Sequence, residues 1–451
     1  MMTSFSTFDS LPLSPSLMEN LSGLGYDEPT PIQAAALPLI LEGRDVLGQA
    51  KTGSGKTAAF GLGLLQRLDP EVLETQALVI CPVRELAEQV ATEIRRLARN
   101  IPNVKLVTLC GGMPGRPQDI SMKAGAHIVV GTPGRIAKHI RKEQLLVSAI
   151  RTLVLDEADR LLDMGFEEEV KEIVHQIPRN RQTLLFSATF PEEIRAMSRK
   201  FQKNPESVIV DTALAPGVVE EREVVAGPKE KLRALSRILR QEMPESALVF
   251  CATRQGCREV AKALSAEGFS VATLHGEMEQ RDRSDALIRL GNRSVRILVA
   301  TDVAARGLDI EDLPLVIHYD PANDPDIHLH RTGRTGRAGR SGKAFALVER
   351  RRPGALFPED LNPQHGSPPP PAMVSFLMNG GKKDKIRPGD ILGAMVKEAG
   401  LNAEDVGKIH VADTYTVIAV RNGVQRKVQK WATAGRIKGR RIAPMPARDI
   451  F

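Results

Sequence analysis

Aromatic residues are scarce in this 451-residue chain, and long apolar runs are missing. Only 4% of the residues are aromatic, so base stacking cannot be the main mode of any nucleic-acid contact. No apolar run reaches the roughly eighteen residues of a membrane span, and the N-terminus has no basic segment followed by an apolar core. We therefore expect no membrane association and no signal peptide.

Cysteine is also rare, and its four copies show no spacing typical of a zinc site. Each lies in or beside an apolar run, which predicts buried, reduced thiols in a cytoplasmic protein. The four residues are Cys81, Cys110, Cys251 and Cys257.

Positive charge is concentrated at the C-terminal end. The whole chain carries a net charge of +7, whereas residues 373–451 hold fifteen Lys/Arg and seven Asp/Glu, a net of +8. The remainder therefore sums to −1 (7 − 8). This asymmetry indicates a polyanionic partner, although a solvated basic face would explain the charge alone equally well.

The run from Ala50 to Thr57 is built to hold phosphates. Its glycines, Gly53 and Gly55, allow the backbone N–H groups to point at phosphate oxygens. Lys56 adds positive charge near the β and γ positions, and the Thr57 hydroxyl can bind Mg²⁺. Thr52 and Ser54 complete the predicted phosphate loop.

An Asp-Glu-Ala-Asp run, Asp156 to Asp159, follows the apolar run at 153–155. That run reads as a buried strand, so the carboxylates would lie at a strand end where a metal ion and a water can be bound. Both motifs together predict binding of ATP with Mg²⁺ and its hydrolysis.

Short apolar runs separated by helical patterns predict two α/β units with parallel sheets. We place the first domain at 1–210, a linker at 211–227 and the second domain at 228–352. The segment 353–372 contains four consecutive prolines and reads as a stiff, extended tether. A small, basic α+β domain is expected at 373–451.

The motif set resembles the DEAD-box ATP-dependent RNA helicases over about residues 8–350. This resemblance implies an α/β fold of two tandem RecA-like domains. It also implies that Gln33 reads adenine, with Phe8 or Tyr26 supporting the base, and that Asp309 contacts the ribose.

The same resemblance assigns the catalytic and coupling groups. Asp156 would hold Mg²⁺ through water, and Glu157 would orient or deprotonate the attacking water. Arg334 and Arg337 would act as arginine fingers when the domains close. The coupling residues would be Asp159, Ser187, Thr189 and His330, with Asp159 in contact with the segment 187–189.

RNA-facing motifs mix small residues, hydroxyls and arginines, which suits contacts to phosphate and 2′-OH rather than to base edges. The core candidates are Arg84, Gly112, Thr132, Arg135, Arg283 and Thr301. The chain departs from the family at Val83, where Thr is usual, and at His328, where Tyr is common. We expect these departures to affect RNA contact slightly and hydrolysis hardly at all.

The tail resembles the RNA-binding domain of the DbpA branch of this family, over about 373–446. That resemblance implies an RRM-like domain and a hairpin of 23S ribosomal RNA as its ligand. The strand positions that usually carry base-stacking aromatic residues are poorly filled, and Tyr415 is the only candidate among them. Lysine and arginine contacts to the RNA would therefore carry binding. The candidates are Lys382, Lys385, Arg387, Lys438 and Arg440.

The sequence thus favours an RNA-dependent ATPase that unwinds or remodels RNA during large ribosomal subunit assembly, with pre-50S particles as partners. We expect a cytoplasmic monomer. An ATP-gated RNA clamp without strand separation shares every motif and stays open. An inactive RNA-binding module is disfavoured because Lys56, Glu157 and the arginines are intact. A metabolic kinase would lack the arginines of the second unit.

Overall fold

The computed structural model describes residues 7–50, 53–112, 115–210, 219–305, 313–322, 324–336, 341–350, 354–363, 366–432, 435–437, 440–441 and 444–447. They form two compact units, one before residue 211 and one from residue 219 on.

The first unit begins with a 3₁₀ turn at Phe8–Ser10. Its helices are α1 (Pro15–Gly23), α2 (Pro31–Leu41), α3 (Lys56–Gln66), α4 (Arg84–Leu97), α5 (Gly115–Lys123), α6 (Pro133–Arg141), α7 (Ala158–Asp163), α8 (Glu167–Gln176) and α9 (Glu192–Phe201). Its strands are β1 (Val46–Gln49), β2 (Ala77–Ile80), β3 (Leu106–Leu109), β4 (Ile128–Gly131), β5 (Thr152–Leu155), β6 (Gln182–Ser187) and β7 (Glu206–Ile209).

These seven strands form one parallel sheet in the order β3-β4-β2-β5-β6-β1-β7. Its inner strands β2, β4, β5 and β6 are buried along their whole length. Helices cover both faces, as the continuous apolar runs predict. Two hydrophobic clusters, one centred on Phe60 and Phe186 and one on Leu155 and Ile173, fill the layers between sheet and helices.

The first part of the second unit, up to Val348, repeats this plan. Its helices are α10 (Lys231–Glu242), α11 (Arg254–Ala266), α12 (Gln280–Gly291), α13 (Asp302–Ala305) and α14 (Pro325–Thr332). Its strands are β8 (Val219–Val225), β9 (Ala247–Phe250), β10 (Val271–Leu274), β11 (Ile297–Ala300), β12 (Leu315–His318) and β13 (Gly342–Val348). They form a parallel sheet ordered β10-β11-β9-β12-β13-β8.

The predicted linker at 211–227 is too long, because its residues 219–225 form strand β8. Residues Val219–Val225 pair in parallel with all of β13 and belong to the second sheet. The strand lies at the sheet edge and carries Glu220, Glu221, Arg222 and Glu223, so it offers no apolar run to detect. Residues 211–218 lie outside the described part.

Residues 354–363 and 366–372 contact the α/β part of the second unit. They include a 3₁₀ turn at Pro358–Asp360, and Leu361 is buried in the core of that α/β part. Arg237 donates to the Leu361 carbonyl at 2.7 Å, and Arg240 donates to the Gly366 carbonyl at 2.5 Å. The described parts of the predicted tether are therefore held by side chains of the domain they follow.

The C-terminal domain has the order strand, helix, strand, strand, helix, followed by three short strands. Its elements are β14 (Met373–Asn379), α15 (Pro388–Lys397), β15 (Val406–Val411), β16 (Tyr415–Arg421), α16 (Gln425–Ala432), β17 (Arg436–Ile437), β18 (Arg440–Arg441) and β19 (Met445–Pro446), with 3₁₀ turns at Lys382–Asp384 and Ala403–Asp405. An antiparallel sheet ordered β15-β16-β14-β19 packs its inner face on Ile391, Val428 and Trp431.

All four cysteines are buried and unbridged, as predicted. Within the described ranges, no helix is both long and apolar enough to cross a membrane.

Candidate functional site

The phosphate loop leaves the carboxyl end of β1 and enters α3. Gly53 and Gly55 both have positive φ, of 80° and 94°, and Gly55 is the N-cap of α3. A Cβ on Gly55 would lie 2.5 Å from the Gln33 side-chain nitrogen, so glycine is required there by both backbone angle and space. The helix N-terminus is thereby left open toward a bound anion.

Lys56 is buried and donates from Nζ to the Ala50 carbonyl at 2.7 Å. This bond folds the side chain back along its own loop. Ser54 Oγ is buried and has no hydrogen-bond partner among the described residues. A positive group and an unpaired hydroxyl at a helix N-terminus fit the phosphates of a nucleotide.

Gln33 joins α2 to the phosphate loop. Its Oε1 accepts from the Thr30 backbone N–H at 2.9 Å, which caps α2, and its Nε2 donates to the Gly55 carbonyl at 3.2 Å. The side chain is only 2% exposed. Gln33 therefore helps to position the loop, a contact that the sequence did not predict.

Tyr26 packs edge-on against Phe8, with ring centroids 6.0 Å apart. Its hydroxyl donates to Glu93 at 2.6 Å, and the Arg96 guanidinium lies 5.5 Å from its ring centroid. Burial and the Glu93 carboxylate raise the pKa of Tyr26. Both predicted base-supporting rings are thus in contact with each other.

The acidic run follows β5 directly. Leu155 of β5 pairs with Leu185 of β6, and Gln49 of β1 pairs with Ser187 of β6. The three strand ends therefore bring the acidic run, the 187–189 segment and the phosphate loop to one edge of the sheet. Asp156 is 3% exposed, and burial raises its pKa to about 6, against the opposing charge of Lys56.

Glu157 occupies the left-handed region, with φ 51° and ψ 54°. A non-glycine residue there is uncommon and indicates local strain. Its Oε2 lies 2.5 Å from Nη1 of Arg160, and both side chains are buried. Arg160 was absent from the sequence prediction. Its spacing of three residues from Glu157, at the start of a helix, is a signal that could have found it.

The predicted contact between Asp159 and the 187–189 segment is present. Asp159 Oδ2 accepts from the backbone N–H groups of Ala188 and Thr189 at 3.1 and 3.2 Å and from the Thr189 hydroxyl at 3.2 Å. The Asp159 backbone N–H donates to Ser187 Oγ at 3.3 Å. A coupling role for this contact stays a prediction.

The core candidates for RNA contact lie at helix starts and strand ends. Arg84 begins α4 and pairs with Glu88 at 2.7 Å, and Val83 supplies no side-chain cap there. Thr132 is the N-cap residue of α6, and its Oγ1 accepts from the Gly111 N–H at 3.2 Å. The others are placed as follows: Gly112 just after β3 with φ 73°, Arg135 in the first turn of α6, Arg283 in the first turn of α12 and Thr301 just after β11.

In the second unit, Arg331 anchors the helix that leads to the predicted fingers. Its Nε and Nη2 each donate to an Asp302 carboxylate oxygen at 2.6 Å, and its Nη1 donates to the Asp320 carbonyl at 2.6 Å. His330 and Arg334 lie beside it, around a small cavity that Phe250 also lines. The sequence did not single out Arg331, although it lies inside the predicted arginine motif.

In the C-terminal domain, a rigid turn presents basic side chains. Lys382, Lys385 and Arg387 are exposed, while Ile386 between them is buried. The Lys382 backbone N–H donates to the Ala412 carbonyl at 2.8 Å, and a Cβ on Gly381 would lie 2.2 Å from that oxygen. The turn is therefore fixed against the loop between β15 and β16.

Some predicted residues cannot be placed. Thr52, Asp309, Arg337 and Lys438 lie outside the described residues, and only the backbone of Arg440, in β18, is described.

Three protein families match the chain in succession. DEAD/DEAH box helicase matches residues 30–197, the helicase conserved C-terminal domain matches 230–339, and the DbpA RNA binding domain matches 375–444. The chain is 48% identical to the ATP-dependent RNA helicase DbpA of Escherichia coli, over 97% of this chain and 98% of that one. The chain belongs to the DbpA-type DEAD-box ATP-dependent RNA helicases.

A second DbpA, from Bacillus subtilis, is 35% identical over 97% of this chain and 98% of its own. Among solved structures, S. cerevisiae Dbp5 bound to RNA and ADP BeF3 superimposes with a TM-score of 0.70 at 30% identity, covering 77% of this chain and 90% of that one. The two parallel-sheet domains are thus RecA-like helicase domains.

The residues present fit the ATP that this helicase family uses. The buried, unpartnered Ser54 hydroxyl, the folded-back Lys56 and the left-handed glycines form an anion cradle. Asp156, a desolvated carboxylate at the same sheet edge, supplies the oxygen ligand that a hard cation requires.

Proposed function

We propose that this helicase hydrolyses ATP in response to RNA and uses the cycle to unwind or remodel 23S ribosomal RNA in pre-50S particles. We further propose that it acts as a monomer in the cytoplasm. The observation that carries the choice of RNA is the match of residues 375–444 to the DbpA RNA binding domain. The exposed basic turn of that domain suits a structured RNA ligand.

In the proposed mechanism, residues 53–57 hold the phosphates through backbone N–H groups and Lys56. Thr57 and Asp156 would hold Mg²⁺, which when bound neutralises charge on the phosphate oxygens. Glu157 orients the attacking water and accepts its proton. Arg334 and Arg337 would stabilise charge in the transition state.

Gln33 would read adenine without giving up its present contacts. An amide nitrogen carries two N–H groups and an amide oxygen has two lone pairs, whereas the structure uses one of each. Phe8 and Tyr26 would support the base, and Asp309 the ribose.

The proposal is tested by ATP hydrolysis of the full chain without nucleic acid, with a 23S ribosomal RNA transcript, with an unrelated RNA of equal length and with DNA. We expect strong stimulation by the ribosomal RNA, weaker stimulation by the unrelated RNA and none by DNA. Equal stimulation by both RNAs would contradict the assignment to ribosomal RNA.

A duplex-unwinding assay on the same protein distinguishes a helicase from an ATP-gated clamp. We expect strand release that depends on ATP. Stable RNA retention with ATP and no strand release would favour the clamp.

A further inference from the structure

The outer face of the C-terminal sheet is buried at its centre, although helices α15 and α16 pack on the inner face. Along β14 and β16, Phe376, Met378, Ile418 and Val420 point into the domain core. Side chains alternate along a strand, so their neighbours lie on the opposite face. In a two-layer α+β domain, with helices on one face of the sheet only, that opposite face would be exposed to solvent.

Three residues of this outer face are nevertheless buried. Val417 and Ala419 have no exposed surface, and Ser375 is 4% exposed. Ser375 pairs directly with Ala419 across the strands, so the burial is centred on the middle of the sheet. A second body must therefore lie against it.

That body is the second helicase domain, through the turn that follows α12. Asn292 Nδ2 donates to Ser375 Oγ at 2.9 Å, and the hydroxyls of Ser294 and Ser375 lie 2.7 Å apart. The Met373 backbone N–H donates to the Arg293 carbonyl at 3.2 Å. Asn292 and Ser294 are themselves buried, at 4% and 5% exposure, so this is a desolvated polar contact.

The one strand aromatic of this face also meets the helicase domain. The guanidinium of Arg281, in the first turn of α12, lies 4.9 Å from the ring centroid of Tyr415. A cation in that position uses the ring face on which a base would otherwise stack. Tyr415 was the single stacking candidate in the sequence.

The proline run between the second helicase domain and the C-terminal domain also contacts both of these domains. Arg296, at the start of β11, donates to the carbonyls of Pro369 and Pro370 at 3.1 and 3.5 Å. Asn422, at the end of β16, donates to the Pro371 carbonyl at 3.1 Å. The polyproline run is therefore held by side chains from both of the domains that it joins.

We propose that the outer face of the C-terminal sheet is a docking surface for the second helicase domain, held by Asn292, Ser294, Ser375 and the Arg281–Tyr415 pair. RNA is then bound at the rim of this domain, through the basic turn of Lys382, Lys385 and Arg387, while the two domains stay docked. The RNA part of this inference rests on the proposed function, whereas the docking does not.

The test is a disulfide between the two docked surfaces. Because the two hydroxyls are 2.7 Å apart, replacing both serines, Ser294→Cys and Ser375→Cys, places two thiols in reach of each other. Diamide oxidises them: each thiol loses a proton and an electron, one S–S bond forms, and diamide is reduced to the hydrazide. The natural cysteines are buried, and the two single variants are the controls.

We expect the double variant to form the disulfide without RNA, and the single variants to form none. The oxidised protein should bind a 23S ribosomal RNA transcript and show stimulated ATP hydrolysis within about twofold of its reduced form. Failure of a folded, reduced double variant to form the bond would overturn the docking. A tenfold loss of RNA binding on oxidation, restored by dithiothreitol, would show instead that the sheet face must open to bind RNA.

Point variants of the full chain separate the two RNA surfaces. Tyr415→Ala should change affinity for the transcript less than twofold, while Lys382→Ala with Lys385→Ala should lower it at least tenfold and flatten its salt dependence. A larger loss of affinity in Tyr415→Ala than in the double lysine variant would overturn the assignment of RNA binding to the rim of the domain. If wild-type protein binds the transcript no better than an unrelated RNA, the proposed substrate fails, while disulfide formation still reports on the docking.

Discussion

Glu157 and Arg160 form a buried ion pair at the edge of the first helicase sheet that also carries the phosphate loop. The carboxylate Oε2 lies 2.5 Å from the guanidinium Nη1, and the two side chains are 4% and 5% exposed. Glu157 also adopts a left-handed backbone, which costs roughly 1–3 kcal/mol for such a residue. Arg160 therefore helps to fix the carboxylate that the proposed mechanism assigns to the attacking water.

Replacing Arg160 should impair the chemical step more than ATP binding. We expect Arg160→Met to lower kcat of RNA-stimulated hydrolysis on the order of 10²-fold, because a misplaced carboxylate no longer orients the water. KM for ATP should change far less, and Arg160→Lys should restore part of kcat. Steady-state kinetics measure both parameters.

The matched control is Arg199→Ala, which breaks an exposed ion pair with Glu192 in the same domain. Such pairs contribute about 0–1 kcal/mol, so its kinetics should stay near wild type. Loss of one partner of a buried pair costs about 3–5 kcal/mol, so thermal unfolding must confirm that Arg160→Met is folded at the assay temperature. A folded Arg160→Met protein with wild-type kcat would refute the positioning role.

Glu157→Gln should bind ATP and fail to turn it over. The substitution keeps the side-chain shape and removes the charge that accepts the proton from water, which is worth about 10²–10⁴-fold. A fluorescent ATP analogue measures binding, and phosphate release measures turnover. We also expect slower RNA release in the presence of ATP. Hydrolysis within a few-fold of wild type would mean that another group activates the water.

Arg334→Ala should lower kcat on the order of 10³-fold, since an arginine finger neutralises charge that develops in the transition state. Its comparison is Arg331→Ala, which removes the bidentate contact to Asp302 and should lower thermal stability as well. The two variants thus separate a catalytic arginine from a structural one. A normal kcat with a large rise in KM for Arg334→Ala would make it a ground-state ligand instead.

Most inner strands of the two helicase sheets were predictable, whereas three of the four edge strands and the inner strand Gly342–Val348 were not. Strands such as Ala77–Ile80 and Ala247–Phe250 are buried on both faces and therefore appear as unbroken apolar runs. Edge strands Leu106–Leu109, Glu206–Ile209 and Val219–Val225 are partly exposed and carry polar or charged residues. Their pairing depends on the neighbouring strand rather than on their own composition.

The candidate site also contains features that the sequence predicted and features that it did not. The left-handed glycines and Lys56 follow from the chemistry of the phosphate-loop motif, and the contact of Asp159 with the 187–189 segment follows from the family resemblance. The partners of Glu157 and Ser375 do not, because a side-chain pair between elements depends on tertiary packing. Tyr415 illustrates the difference, since its ring contacts Arg281, which lies 134 residues earlier (415 − 281) in the chain.

His318 should make the second helicase domain acid-sensitive. Burial, followed by His328 and Arg331, lowers its pKa from 6.5 to about 3. The folded state thus keeps His318 neutral, whereas the unfolded chain takes up a proton below pH 6.5. This contribution to stability is present above pH 6.5 and is lost as the pH falls toward 3, at up to about 1.4 kcal/mol per pH unit.

Hydrogen exchange of peptides covering Leu315–His318, corrected for the intrinsic effect of pH, measures this loss between pH 7.5 and 5. His318→Gln should flatten the pH dependence, whereas His175→Gln, at an exposed site in the other unit, should leave it unchanged. Identical profiles for wild type and His318→Gln would assign the acid sensitivity to other groups.

Gln33 links nucleotide recognition to the shape of the phosphate loop, and two substitutions separate these roles. Gln33→Glu keeps the oxygen that accepts from the Thr30 N–H and caps α2. It loses the N–H groups that face the Gly55 carbonyl and, by our proposal, adenine. We expect it to bind both ATP and GTP more weakly and to keep the preference for ATP, because N7 accepts a hydrogen bond in both bases, whereas the retained oxygen can accept only from the N6 amine of adenine. Loss of one hydrogen bond, about 0.5–1.5 kcal/mol, would weaken ATP binding about 2–13-fold. Gln33→Ala removes that oxygen as well, so it should lose the preference for ATP over GTP and unfold at lower temperature. If Gln33→Ala binds ATP and GTP more weakly by the same factor, Gln33 positions the loop and does not read the base.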